Sequence, residues 1–158
     1  MIRKYVLLLL LLFVSCGVAH ATEAFVLEDM SGAEHRLSQY LGKWVIVNYW
    51  ATWCPPCLEE VPEFVALYDE RRNKDVMVIG VVFDYESIQI VNTYVDDMLM
   101  SYPIVLGNDN IVKQIGPADV LPTTYLFNPK GELVKVKRGL VSRHYLEKIM
   151  LKTTAREK

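Results

Sequence analysis

The run Val45-Ile46-Val47-Asn48-Tyr49-Trp50-Ala51-Thr52-Trp53-Cys54-Pro55-Pro56-Cys57-Leu58-Glu59-Glu60-Val61-Pro62 decides the reading of this 158-residue chain. It starts as a β-rich apolar segment and ends as the acidic opening of a helix, with a Cys-x-x-Cys pair at the change. Three residues is nearly one helical turn, so the spacing brings both sulfurs to one side within disulfide reach. Cys54 falls at the helix start, where unsatisfied N–H groups and the positive dipole end favour a thiolate; it is the expected exposed nucleophile. Cys57, one turn further in and more buried, is the expected resolving thiol. Pro55 and Pro56 lack N–H groups, which costs little in a first turn and stiffens the link between the cysteines.

Spacing alone leaves two other uses of the pair open. A zinc site needs two more ligands, and no second Cys-x-x-Cys or His-x-His pair supplies them, so no metal is expected. A structural disulfide closing so small a loop stabilises a fold little. The strand-to-helix context favours redox chemistry.

Trp53-Cys54-Pro55-Pro56-Cys57, following Val47-Asn48-Tyr49-Trp50-Ala51-Thr52, resembles the active site of the thioredoxin superfamily. The likeness is greatest to its exported TlpA/ResA-type thiol-disulfide oxidoreductases and extends over about residues 25–152. That resemblance implies an α/β fold, a thioredoxin-like three-layer sandwich whose central mixed β-sheet is flanked by helices, with an N-terminal hairpin and an inserted helix. In Val120-Leu121-Pro122-Thr123-Thr124, Pro122 matches the family's cis-proline, which faces the cysteines and leaves backbone groups free for an extended substrate. Trp53, Pro55, Pro56, Leu121 and Pro122 are therefore the expected substrate-binding residues. Asn48 stands where thioredoxin has a buried acid. Glu60 matches a carboxylate that moves protons at the cysteines in TlpA/ResA-type proteins, and a buried carboxyl of raised pKa suits that exchange. The plainer reading of Glu59, Glu60 and Glu63 is favourable charge in early helical turns.

The implied function is reduction of disulfides in exported proteins, apocytochrome c among them, with electrons from a membrane-embedded thiol donor. The redox-active Cys54–Cys57 disulfide takes the place of a cofactor. The alternatives are a disulfide-inserting oxidant, or a non-enzymatic module holding a peptide or Cu(I). The Pro-x-x-x-Thr-x-x-Cys pattern of a thiol peroxidase is absent.

Composition bounds the rest. The formal charge is -2 and no basic block exists, so nucleic acid is not an expected partner, and a monomer is expected. Arg3 and Lys4 precede an apolar run at residues 5–14 that is short for a membrane span, which reads as a targeting segment over residues 1–21. Ala19-His20-Ala21 has the form of a signal-peptidase site, while Cys16 resembles a lipoprotein acceptor; an uncleaved anchor is the third route. Each places a thioredoxin-like domain at residues 22–158 outside the cytoplasm, in the periplasm or an equivalent space.

Along the chain the patterns predict a hairpin from residues 25–27 and 35–37, a helical turn closed by Gly42, and strands at 45–50 and 76–83 joined by a helix at 55–72. A helix at 86–99 turns Ile88, Ile90, Val91, Tyr94, Val95 and Met98 inward. A strand at 102–106 leads to a helix at 110–115 capped by Asn108 or Asp109. A turn at 128–131 joins two antiparallel strands, and a helix at 140–152 precedes a frayed tail. His35 and His144 are expected at the surface.

Overall fold

The computed structural model describes residues 24–156. The targeting segment, with Arg3, Lys4, Cys16 and Ala21, lies outside the described residues. Strand β1 (Val26–Glu28) pairs antiparallel with β2 (Glu34–Arg36), and a 3-10 turn over Leu37–Tyr40 follows. Then come β3 (Trp44–Trp50), α1 (Pro55–Arg71), β4 (Val76–Val82), α2 (Ile88–Asp97) and β5 (Ile104–Leu106). The chain continues through α3 (Asp109–Ile115), β6 (Thr123–Phe127), β7 (Leu133–Arg138) and α4 (Arg143–Arg156).

Five strands form one sheet in the order β5-β4-β3-β6-β7. The βαβ crossovers make β3, β4 and β5 parallel, whereas β6 runs antiparallel to β3, and β7 to β6. Every residue of β3 and β4 is buried, as their unbroken apolar runs require of central strands covered on both faces. One face carries Ile46, Trp50, Val78, Val82 and Leu126 against Cys57, Val61, Phe64 and Leu67 of α1 and Leu146 and Met150 of α4. The other carries Val45, Val47, Tyr49, Ile79 and Tyr125 against Phe25 and Leu27 of the hairpin and Ile111 and Ile115 of α3. These are the three layers expected.

Capping is legible in detail. Asn108 caps α3 by accepting from the backbone N–H groups of Asn110 and Ile111, at 2.9 and 3.1 Å. Gly42 takes φ +90°, a left-handed turn that glycine adopts without penalty.

Three expectations need correction. His35 is 8 % exposed rather than at the surface. Its Nε2 lies 2.8 Å from Asp29 Oδ2 and its Nδ1 2.5 Å from the Tyr40 hydroxyl, so partners brought in by the hairpin and the 3-10 turn compensate its burial. Ile88 is 52 % exposed, because α2 begins there after the Ser87 cap and only Val91 of the helix is fully inside. The C-terminal helix continues to Arg156: no glycine or proline interrupts it, and buried Met150 holds its middle turn against the sheet. His144 is exposed, as expected.

Candidate active site

β3 ends at Trp50, and Ala51 to Cys54 carry the chain to the tip of α1. Cys54 is the N-cap of that helix, with extended backbone, and Pro55 and Pro56 are its first two residues. A disulfide joins Cys54 to Cys57, with their Cα atoms 5.3 Å apart. Cys57 is wholly buried, in the order expected, but Cys54 is only 4 % exposed, since both cysteines belong to the apolar cluster against which Leu121 packs. The expected crown of free N–H groups is also absent at this tip. The Cys54 amide donates to Ala51 O at 3.2 Å, the two prolines have none, and the Cys57 amide turns back to Cys54 O at 3.0 Å. A thiolate at Cys54 is left with the helix field as its main support.

One turn beyond Cys57, Glu60 is 1 % exposed among apolar neighbours. Its Oε1 accepts from Asn48 Nδ2 at 2.6 Å, and its Oε2 accepts from the Val141 amide at 2.9 Å. Burial pushes the carboxyl up to about 7, despite the opposing pull of the two hydrogen bonds and of Lys137. Asn48 also donates to Thr124 Oγ1 at 3.3 Å. Asn48, Thr124 and Lys137 form one row across β3, β6 and β7, so all three share the face that α1 covers. The acid missing from position 48 is replaced here by one reaching in from the helix and bonded to that same strand residue. A carboxyl with proton affinity near neutrality, one helical turn from a thiol, can take up and return that thiol's proton.

The residues expected to bind substrate are apolar. Trp53 is 58 % exposed, and its indole Nε1 donates to Asp84 O at 2.9 Å. Pro55 is exposed and Pro56 half-buried. The Leu121–Pro122 peptide is cis; Pro122 is buried, Leu121 is partly exposed, and Val120 beside them is an exposed apolar side chain. Among the described residues no group of three or more His, Cys, Asp or Glu side chains forms a metal site, and no helix is long and apolar enough to cross a membrane.

Sequence reasoning missed the Val141 amide, Thr124 and Lys137 as neighbours of Glu60. Val141 lies 81 residues away in the chain, and no local pattern marks it.

A dithiol–disulfide pair at the first turn of α1, with a buried acid one turn further along that helix and a cis-proline immediately before β6, defines a thioredoxin-fold thiol-disulfide oxidoreductase. Residues 18–136 match the model of the AhpC/TSA family. The chain is 38 % identical over 127 residues to the thiol-disulfide oxidoreductase ResA of Halalkalibacterium halodurans, covering 80 % of this chain and 71 % of that one. It belongs to the AhpC/TSA family, on its branch of ResA-like thiol-disulfide oxidoreductases. The crystal structure of StoA from Bacillus subtilis superposes with a TM-score of 0.66 at 28 % identity, over 78 % of this chain and 93 % of that one. A thiol:disulfide interchange protein from Chlorobium tepidum shares the fold with a TM-score of 0.72 at 23 % identity, over 81 % and 91 % of the two chains.

Proposed function

We propose that the protein is an exported reductase of protein disulfides. The Cys54 thiolate attacks a substrate disulfide, forming a Cys54–substrate bond and releasing one substrate sulfur, which takes up a proton. Cys57 then gives its proton to the Glu60 carboxylate and attacks Cys54 Sγ, so that the second substrate sulfur leaves. Two electrons pass to the substrate, and the Cys54–Cys57 disulfide remains for a thiol donor to reduce. No cofactor besides that disulfide enters.

The observation that carries the reducing direction is the helix tip. An oxidant needs a strongly stabilised reduced form, whereas here two prolines remove N–H donors and the Cys57 amide is occupied by Cys54 O. Trp53, Pro55, Pro56, Leu121 and Pro122 are assigned the docking of an extended substrate strand, its apolar side chains resting on Trp53 and Leu121. Residues 1–21 are assigned to export, with a membrane-embedded thiol donor and cysteine-bearing exported proteins such as apocytochrome c as partners. A redox titration of the purified domain against glutathione, read by alkylation of Cys54, tests the direction. A midpoint near roughly -270 mV is expected; one near roughly -120 mV makes the protein an oxidant.

A further inference from the structure

The turn between β7 and α4 is bonded to two parts of the candidate active site. The Gly139 amide donates to Pro122 O at 2.8 Å, which ties the turn to the cis-proline. Two residues on, the Val141 amide donates to Glu60 Oε2 at 2.9 Å, which ties it to the buried acid. A third bond fastens the turn from β7, where Lys137 Nζ donates to Arg138 O at 2.6 Å. The ammonium lies close to the turn itself: a Cβ placed on Gly139, which takes φ +77°, would stand 3.8 Å from that Nζ.

β7 is an edge of the five-stranded sheet, and lysines on such strands ordinarily discourage pairing with another chain. Lys135 fits that use, being exposed, whereas Lys137 is half-buried. Lys137 stands level with Thr124 and Asn48 on the face beneath α1, and Asn48 is the donor to Glu60 Oε1. Its neighbour Arg138 pairs with Asp119 at 3.5 Å, but Lys137 has no carboxylate within ion-pair distance among the described residues. The anion it acts on is Glu60, whose carboxyl it draws down against the effect of burial.

We propose that Lys137 is a positioning residue for disulfide exchange: its ammonium fastens the turn that holds Glu60 through Val141, and it places the one positive charge that faces that carboxyl among the described residues. Without it Glu60 faces Cys57 on its own helix, the uncharged Asn48, Thr124 and Val141 groups, and the Tyr102 hydroxyl, which burial keeps protonated. The carboxyl then binds its proton more tightly and is less often free to take one from Cys57 at neutral pH. Lys137 acts through Glu60 and not on the sulfurs. Its effect on turnover rests on the proton role given to Glu60 above; its effect on Glu60 itself does not.

The test follows the Glu60 carboxyl of the purified protein by carbon-detected NMR, and disulfide exchange as a function of pH. Lys137→Met should raise the Glu60 midpoint by roughly half a pH unit and move the pH profile of exchange up by the same amount. Hydrogen exchange at the Gly139 and Val141 amides should quicken severalfold in the same variant. Lys137→Arg, which keeps the charge and a donor, should restore all three readings. Lys135→Met removes a lysine from the same strand and should move none of them. A Glu60 midpoint that ignores Lys137→Met overturns the proposal, and unaltered exchange at both amides overturns it as well. So does an equal rise in Lys135→Met, which would make the effect one of net charge alone. If the midpoint moves while the pH profile of disulfide exchange stays fixed, the hold of Lys137 on Glu60 stands and the proton role of Glu60 falls. A pH profile flattened by Glu60→Gln but unmoved by Lys137→Met gives the reverse result.

Discussion

Two carboxyls, one in the N-terminal hairpin beside the edge strand β5 and one beneath α1, are treated by the fold in opposite ways. Asp29, between the hairpin strands, accepts from His35 Nε2, from the Ser31 hydroxyl and from the amides of Ser31 and Ala33. Burial pushes its carboxyl up, but these four donors outweigh it and bring it down to about 2. Glu60 has only two donors, Asn48 and Val141, in an apolar layer beneath α1, so for it burial wins. Donor count against depth decides whether a buried acid is a permanent anion that anchors structure or a group that exchanges protons at neutral pH.

The largest expected effect lies on the Glu60 side. A carboxyl raised from 4.5 to about 7 keeps its proton in the folded state while the unfolded chain loses it. Its stability contribution is therefore complete below pH 4.5 and lost as pH rises through 7, an amount on the order of 3 kcal/mol. Glu60→Gln keeps the volume without the titration, so denaturant unfolding should show the variant gaining on the wild type across that window and levelling off above it. Parallel curves from pH 4 to 8 would sink the contrast. In the same variant, resolution of the mixed disulfide at pH 7 should slow by roughly a hundredfold.

Asp29 has the opposite sign and a smaller size. Its folded value lies below the ordinary 3.8, so its contribution is present above pH 3.8 and disappears as pH falls through 2. Asp29→Asn should cost roughly 1–2 kcal/mol at neutral pH, with the two unfolding curves converging in acid, while disulfide exchange stays within about twofold of the wild type. A large loss of exchange activity would make the hairpin part of the active site and erase the distinction. The smallest effect belongs to Tyr40→Phe, which removes the hydroxyl from His35 Nδ1. A thermal-melt deficit equivalent to about 1 kcal/mol is expected, again without a change in exchange rate.

The active-site motif was legible because its chemistry is local. Cys54, Pro55, Pro56 and Cys57 are consecutive, and the strand before them and the helix after them show in apolar period. The same holds for the Asn108 cap and the turn at residues 128–131, where short-range hydrogen bonds decide the conformation. His35 was misread because nothing adjacent to it signals burial; its partners lie six residues before it and five after, brought close by a hairpin and a 3-10 turn. The supply of donors at the helix tip was overestimated for a related reason: the prolines were visible, but the turn of the Cys57 amide back to Cys54 O was not.

By itself the sequence determined the layer architecture, the dithiol and the position of Glu60, since each follows from residue type and spacing along a few turns of chain. Only the tertiary structure decided how tightly Glu60 holds its proton. That depends on Asn48 from β3, on the Val141 amide 81 residues away and on the exclusion of water by packed helices, and such desolvation belongs to the assembled fold rather than to any segment of it.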